Sequence, residues 1–264
     1  MASTDWVQLI ASALGGGITV KVLDIFYSEF RRRGERNTTA AHFVDEHLDP
    51  LLKAADELVA KMHALAHEDF TTFPVNPGQD PFDNNDVGGL IFLFATFWGQ
   101  LEIIRRHGLF VALNQDERGE HLQSFIASIE STRVRLVDRI AQRAIGEVMM
   151  DDDNGAKSTL RYIHLVRSYR ENPDIAKWLA PLLGVLSKAP HRTQRQQILL
   201  YVSIIHAMID TLDPKHMVSR ERPAVANKLS EKTRRELRYR VLKQYLPFVR
   251  GPEKYFRPPV DRTA

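Results

Sequence analysis

Val87-Gly-Gly-Leu-Ile-Phe-Leu-Phe-Ala-Thr-Phe-Trp-Gly-Gln-Leu101 is a run of fifteen residues that contains no charged side chain. At about 1.5 Å per residue, a helix of this length is too short to cross a bilayer easily, which takes roughly 20 residues. A helix that lacks a polar face is typical of the centre of a protein, where other helices surround it. We therefore predict a central core helix that continues through Glu102, Arg105 and Arg106 towards Leu113.

Segments on both sides of this run show the apolar spacing of helices. We predict helices over residues 39–70, 115–149, 158–170, 173–188 and 191–212, and a final helix between Ser230 and Pro247. Within 115–149, Leu122, Ile126, Ile129 and Ile140 fall on one face, which predicts a single long helix. No segment shows the alternation of a half-buried strand. The sequence therefore predicts an all-α fold, a helical bundle of seven or eight helices with an N-terminal apolar helix.

The composition is that of a globular protein, with 44% hydrophobic and 26% charged residues in a chain of 264. We divide the chain into an N-terminal apolar helix with its basic flank (1–34), a helical bundle domain (35–250) and a loose C-terminal tail (251–264). The chain contains no cysteine, which excludes disulfides, thiol nucleophiles, iron–sulfur clusters and cysteine-ligated zinc. We find no motif for a catalytic or cofactor-binding site, so we expect no cofactor.

The N-terminal segment holds another uncharged run of fifteen residues, from Trp6 to Val20. Apolar character resumes after Lys21 and Asp24 and extends to Tyr27, so a membrane-crossing length is reached only by including that charged pair. Three pairs of small residues spaced four apart allow close packing against another helix. The predicted membrane or helix-packing residues are Trp6, Ala11, Ser12, Ala13, Gly15, Gly16, Gly17 and Tyr27. The segment therefore either contacts a membrane through residues 6–30 or packs into the core.

Charge is distributed unevenly along the chain. Residues 37–89 hold two basic and ten acidic side chains, whereas residues 219–264 hold thirteen basic and five acidic ones, a net charge of +8. Such asymmetry favours an anionic surface as the partner of the basic part, although oppositely charged faces can also neutralise each other within a fold. The predicted anion-facing residues are Arg31, Arg32, Arg33, Arg36, Lys232, Arg234, Arg235 and Arg238.

His63 and His67 lie one helical turn apart, and Asp56 lies on the same helix face. Two histidines at this spacing can chelate a metal ion, and the carboxylate would be a third ligand. Position 64 is alanine rather than glutamate, so the motif of zinc proteases is absent. We therefore expect partly exposed histidines on an amphipathic helix and no metal, with these three residues as the candidate ligands if one binds.

Four short phrases are spread over most of the chain. They are Leu48-Asp-Pro-Leu-Leu52 with Asp56-Glu-Leu58, Phe97-Trp-Gly-Gln-Leu-Glu-Ile-Ile-Arg-Arg106, Gln142-Arg-Ala-Ile-Gly-Glu147 and Leu212-Asp-Pro214. Together they resemble a group of uncharacterised bacterial proteins, in which a short hydrophobic N-terminus precedes a helical cytosolic domain. The resemblance implies a bacterial source and this architecture, and it implies no activity. From the N-terminal segment we expect a cytoplasmic domain anchored to the inner membrane.

These patterns predict a helical protein that is membrane-associated or self-associating and acts through contacts with a protein partner or a second copy. An enzyme with a site between helices is the alternative, built from the histidine set or from Trp98, Glu102, Arg105 and Arg106. Nucleic-acid binding through residues 219–250 is a further alternative. It is less favoured, because the tyrosines there are sparse for a surface on which bases stack.

Overall fold

The computed structural model describes residues 46–71, 79–106, 116–151 and 158–258. These residues contain nine helices, of which eight have at least seven residues. We number them α1 (residues 46–67), α2 (Asn85–Arg106), α3 (Glu117–Ile129), α4 (Arg139–Val148), α5 (Tyr162–Glu171), α6 (Pro173–Leu186), α7 (Arg192–Leu212), α8 (Glu231–Arg235, continued by the π-helical Glu236–Leu242 and by Lys243–Tyr245) and α9 (Glu253–Phe256). Two 3₁₀ turns, Pro81–Asp83 and Ala226–Lys228, precede α2 and α8.

The all-α prediction is confirmed. Strand-like pairing within the described residues is limited to one isolated bridge between Met150 and Thr159. Helix α2 packs along α4, α3 packs along α7, and α6 rests on both α4 and α5. The N-terminal apolar helix was predicted within residues 1–34, which lie outside the described residues.

Helix α2 is the core helix expected from its sequence. It is long and apolar enough to cross a membrane, but 78% of its most apolar stretch is buried inside the protein. Leu90, Ile91 and Phe94 are completely buried. The indole N–H of Trp98 donates to the hydroxyl of Tyr201 over 2.8 Å, which ties α2 to the equally buried α7.

Helices α2 and α4 come close where a glycine in each helix removes the side chain between them. A Cβ atom added to Gly146 would lie 2.7 Å from the backbone oxygen of Trp98, and one added to Gly99 would lie 2.9 Å from the Cβ atom of Met149 at the end of α4. Backbone atoms of a packed helix cannot rotate away from such a clash. The two glycines therefore set the spacing of the helix pair at the centre of the fold.

The predicted single helix over residues 115–149 is wrong, because the chain forms two helices, α3 and α4, joined by a turn over 130–138. The carboxylate of Asp138 accepts the Ile140 amide and caps the start of α4. A capping side chain satisfies an amide that has no partner in the first turn, so it stabilises a new helix start within the predicted one. Ile140, which we assigned to the apolar stripe, is consequently 69% exposed.

The prediction of a loose C-terminal tail is wrong for residues 251–258. Helix α9 forms there, and it packs on α8 and on the 3₁₀ turn before α8. Tyr255 and Phe256 are buried, with 1% and 7% of their surface exposed. Burial of two aromatic side chains favours the ordered segment against the entropy lost on ordering it. Residues 259–264 lie outside the described residues.

Candidate functional site

Arg105 is the centre of a buried ion-pair network. Its guanidinium donates to Glu102 on the same helix and to Glu130 at the end of α3, and Arg143 of α4 lies 3.6 Å from Glu130. The three central side chains are at most 10% exposed. Burial raises the pKa of Glu102, and the positive charge of Arg105 opposes that shift. The network ties α2, α3 and α4 together, and the partner of Glu102 is Arg105 rather than the exposed Arg106.

The structure does not assemble the candidate metal ligands into one set. His63 is buried, His67 is exposed, and both carboxylate oxygens of Asp56 accept from Arg222, at 2.9 and 3.0 Å. In the part of the chain that the structure describes, no group of three or more His, Asp or Glu side chains is placed to hold a metal ion. An arginine distant in sequence pairs with the carboxylate that was predicted as the third ligand.

Asp210 of α7 holds α9 against the rest of the fold. Lys254 forms an ion pair with its carboxylate, and the hydroxyl of Tyr255 donates to it. The Nε2 atoms of His206 and His216 each lie 3.5 Å from the same carboxylate. Burial raises the pKa of Tyr255, and the negative charge of Asp210 adds to that effect. One acidic side chain therefore fixes the position of the C-terminal helix.

His63 and His206 form a buried pair next to Asp210. Their ring centres lie 5.2 Å apart, and the rings meet edge to face. Burial, together with the neighbouring His206 and Arg222, lowers the pKa of His63 from 6.5 to about 3. Burial also lowers the pKa of His206, against the opposing charge of Asp210. The pair is therefore neutral at physiological pH.

Part of the basic C-terminal region is neutralised within the molecule. Arg222 binds Asp56, and Lys228 Nζ lies 3.4 Å from Asp69. Both acidic partners belong to the acidic residues 37–89, so the neutralisation considered from the sequence occurs at these two positions. Most of the arginines that follow Lys228 in the sequence are not neutralised in this way.

Four arginines line an open cleft of about 590 Å³ along α8 and the end of the chain segment after α9. We call it the arginine cleft; it is lined by Arg234, Arg235, Arg238 and Arg257 together with Glu231, Tyr239, Phe256 and Pro258. Among the lining residues that the structure describes, four arginines and one glutamate give a net charge of +3. Arg235, Arg238 and Arg257 are exposed, and none of the three forms an ion pair with any residue that the structure describes.

The π-helical part of α8 forms one wall of the arginine cleft. Such widened turns are rare and occur often at functional sites. The guanidinium of Arg238 lies 4.7 Å from the ring centre of Tyr239 and 5.4 Å from that of Phe256. One turn earlier, Arg234 Nε donates to the carbonyl of Ala226 over 3.2 Å. These contacts orient two of the four arginines, and a guanidinium with five N–H donors still has donors left for a ligand.

A smaller cavity of about 290 Å³ adjoins the arginine cleft and shares Arg238, Tyr239 and Phe256 with it. We call it the apolar cavity, because most of its other lining residues are apolar. These others are Leu242, Leu246, Pro247, Val249 and Pro252, with Lys243 and Glu253. A strongly positive part and an apolar part therefore lie side by side and share three lining residues.

The arginine cleft includes three of the four anion-facing residues predicted in the C-terminal helix. The fourth, Lys232, lines a separate groove with Arg133 and Arg192. Sequence reasoning missed Arg257, because it assigned that residue to a loose tail, and no pattern in the sequence indicates that α9 brings it to α8. The predicted cluster of Arg31, Arg32, Arg33 and Arg36, and the membrane or packing set from Trp6 to Tyr27, lie outside the described residues.

Comparison with known proteins adds no family to this picture. The chain matches no protein-family model, no curated protein and no solved structure. What the arginine cleft binds must therefore be argued from its own charge, shape and lining.

Proposed function

We propose that this protein associates with an anionic lipid surface through the arginine cleft, and that it acts there through contacts with a protein partner or a second copy. The observation that carries the proposal is the set of three exposed arginines that have no ion pair among the described residues. Basic residues close to an anionic membrane contribute about 1 kcal/mol each. Such a set attracts the phosphate groups of lipid headgroups.

The distribution of charge supports this proposal. The whole chain carries a net charge of +3, the same as the lining of the arginine cleft alone. The lining of the arginine cleft thus places three net positive charges close together. Concentrated charge produces a local potential that steers anionic partners to that place.

The N-terminal segment would supply a second contact with the membrane. Residues 6–30 carry the predicted apolar helix, and Arg31, Arg32, Arg33 and Arg36 follow it directly. A single marginal anchor is reversible, whereas two contacts together give stable attachment. We propose a cytoplasmic helical domain held at the inner membrane in this way, in line with the resemblance to bacterial proteins that begin with a short hydrophobic segment.

Nucleic-acid binding is the second candidate function. Its support is Tyr239, which is 48% exposed beside the arginines and offers one ring for stacking of a base. An enzyme has less support, because Glu102 is neutralised by Arg105 and Asp56 is bound to Arg222. The lipid proposal is preferred, because an apolar cavity adjoins the charged cleft.

The proposal is tested by sedimentation with vesicles of phosphatidylcholine, with and without phosphatidylglycerol. The test variant is Arg235→Gln with Arg238→Gln. The matched control is Lys177→Gln with Lys188→Gln, which removes the same charge from exposed residues that do not line the arginine cleft. An additional variant, Arg31, Arg32 and Arg33 all changed to Gln, measures the N-terminal contribution.

We expect the wild type to bind the anionic vesicles, with binding that weakens as salt is raised and the Debye length falls. The cleft variant should partition about tenfold more weakly or worse, and the control should stay within about threefold of the wild type. An equal loss in both variants would overturn the cleft as the docking site. Binding to a single-stranded oligonucleotide but to neither vesicle would overturn the lipid proposal in favour of nucleic acid.

A further inference from the structure

The arginine cleft and the apolar cavity are two parts of one site. We infer that they hold a single amphipathic molecule, a phosphate monoester that carries a hydrocarbon chain, as phosphatidic acid does. The inference rests on the proposed function, and it names the lipid that the site prefers. Its basis is the shared wall: Arg238, Tyr239 and Phe256 line both cavities, so a ligand in either cavity contacts the same three side chains.

The charged part favours a phosphate monoester over a diester. A monoester carries about −1.5 to −2 charges near pH 7 and offers three acceptor oxygens, whereas a diester carries a single charge. The lining has a net charge of +3, which a doubly charged group neutralises more fully. Arginine pairs with phosphate through two parallel N–H···O bonds, and Arg235 and Arg257 have no competing ion pair among the described residues.

The rigid placement of Arg238 adds to this preference. Its guanidinium packs over the rings of Tyr239 and Phe256, which holds it in place before a ligand arrives. A side chain that is already oriented loses less entropy on binding than a free one. Arg238 also stands at the junction of the two cavities, where the phosphate of an amphipathic ligand would meet its chain.

The apolar part fits a hydrocarbon chain. Leu242, Leu246 and Val249 are buried residues that line it, and Pro252 and Pro247 add to the apolar wall. The two charged lining residues, Lys243 and Glu253, have opposite signs and do not add a net charge. Methylene groups that enter such a cavity leave water, which favours binding in proportion to the apolar area covered.

The experiment is a calorimetric titration of the full chain with soluble ligands that separate the two parts. The probes are glycerol 3-phosphate, dihexanoyl phosphatidic acid, dihexanoyl phosphatidylglycerol and adenosine monophosphate. We expect dihexanoyl phosphatidic acid to bind at least about tenfold more tightly than each of the other three, a factor that corresponds to about 1.4 kcal/mol.

Two variants test the arginine cleft and the apolar cavity separately. Arg235→Gln should weaken dihexanoyl phosphatidic acid and glycerol 3-phosphate by similar factors, because it removes a phosphate contact. Pro252→Gln should weaken only the chain-bearing lipid, because it places a polar group in the apolar cavity. Lys188→Gln is the control for charge, and thermal unfolding of each variant shows whether the fold is kept.

Each other outcome overturns a defined part. Equal affinity for glycerol 3-phosphate and dihexanoyl phosphatidic acid would show that the hydrocarbon chain does not contribute to binding. Equal affinity for dihexanoyl phosphatidylglycerol and dihexanoyl phosphatidic acid would show that the site does not prefer a phosphate monoester. Tighter binding of adenosine monophosphate than of dihexanoyl phosphatidic acid would show that the site prefers an aromatic ring to a hydrocarbon chain. If no soluble lipid binds while anionic vesicles still sediment the protein, the inference fails and the proposed function stands. If dihexanoyl phosphatidic acid binds but vesicles do not, the proposed function fails.

Discussion

Arg105 and Arg235 carry the same guanidinium in opposite surroundings. Arg105 is 10% exposed and lies between two buried carboxylates, whereas Arg235 is exposed and has no ion pair with any described residue. The first links helices of the core, and the second belongs to the cleft in α8. Buried charges need partners because their desolvation is costly, whereas exposed charges remain hydrated without one. An unpaired cluster at the surface is therefore a site free to meet a ligand.

The largest expected effect is that of Arg105→Met. It leaves Glu102 and Glu130 buried without their cation, and removal of one partner from a buried pair costs about 3–5 kcal/mol. Arg235→Met should change stability by no more than about 0.5 kcal/mol, because that side chain is exposed. Urea unfolding of both variants measures the contrast. Similar losses at the two positions would break the distinction between a structural and a ligand-binding arginine.

The contact between α2 and α4 gives the next effect. Gly146→Ala places a methyl group 2.7 Å from the Trp98 backbone oxygen, and overpacking of this kind costs about 1–3 kcal/mol. Gly184→Ala in α6 is the matched control, since a Cβ there would have nothing within 4 Å. Alanine is the better helix former, so this control should gain up to about 1 kcal/mol. A loss at Gly184 equal to that at Gly146 would contradict the close helix contact.

We expect acid to lower the free energy of unfolding through the buried His63. The pKa of His63 is lowered from 6.5 to about 3, so the unfolded chain binds a proton first as the pH falls below 6.5. The stability that the neutral side chain contributes is complete above pH 6.5 and declines by about 1.4 kcal/mol per pH unit towards pH 3. His63→Leu should reduce the slope of unfolding free energy against pH by about one proton. A slope that is the same in His63→Leu and in the wild type would contradict a buried, neutral His63.

The smallest effect distinguishes two arginines within the cleft. Arg238 lies over the rings of Tyr239 and Phe256, and such contacts are worth about 0.5–1 kcal/mol at exposed positions. Arg238→Met should therefore lose about that amount, slightly more than Arg235→Met. The comparison needs replicate denaturant curves on both variants. If the order is reversed, the ring contacts do not hold Arg238 in place.

The core was predictable because its signal is local. Fifteen consecutive uncharged residues from Val87 to Leu101 are too few to cross a membrane easily and give the helix no polar face, and the structure buries most of them in α2. The break between α3 and α4 was not predicted, because Leu122, Ile126 and Ile140 fit one helical period. The period does not reveal which of several polar residues caps a helix, and Asp138 does so here.

The cleft was predictable only in part, for a different reason. Arg234, Arg235 and Arg238 are close in sequence and share a helix, so their clustering was visible. Arg257 joins them because α9 folds back, and α9 folds back because Tyr255 and Lys254 reach Asp210 of α7. That contact spans more than forty positions of chain. The same long range explains why the pairing of Asp56 with Arg222 did not follow from the helix face of Asp56.

The π-helical stretch Glu236–Leu242 has a consequence for how this chain tolerates changes of length. The Lys243 amide bonds back five residues to the Arg238 carbonyl, so the stretch holds one residue more than an α-helix of the same hydrogen-bond pattern. Loss of a single residue there would restore the ordinary pattern and remove the widened turn that carries Arg238 and Tyr239 of the arginine cleft. Relatives that lack the cleft are thus expected to align across this segment with a one-residue gap, and relatives that keep it without one.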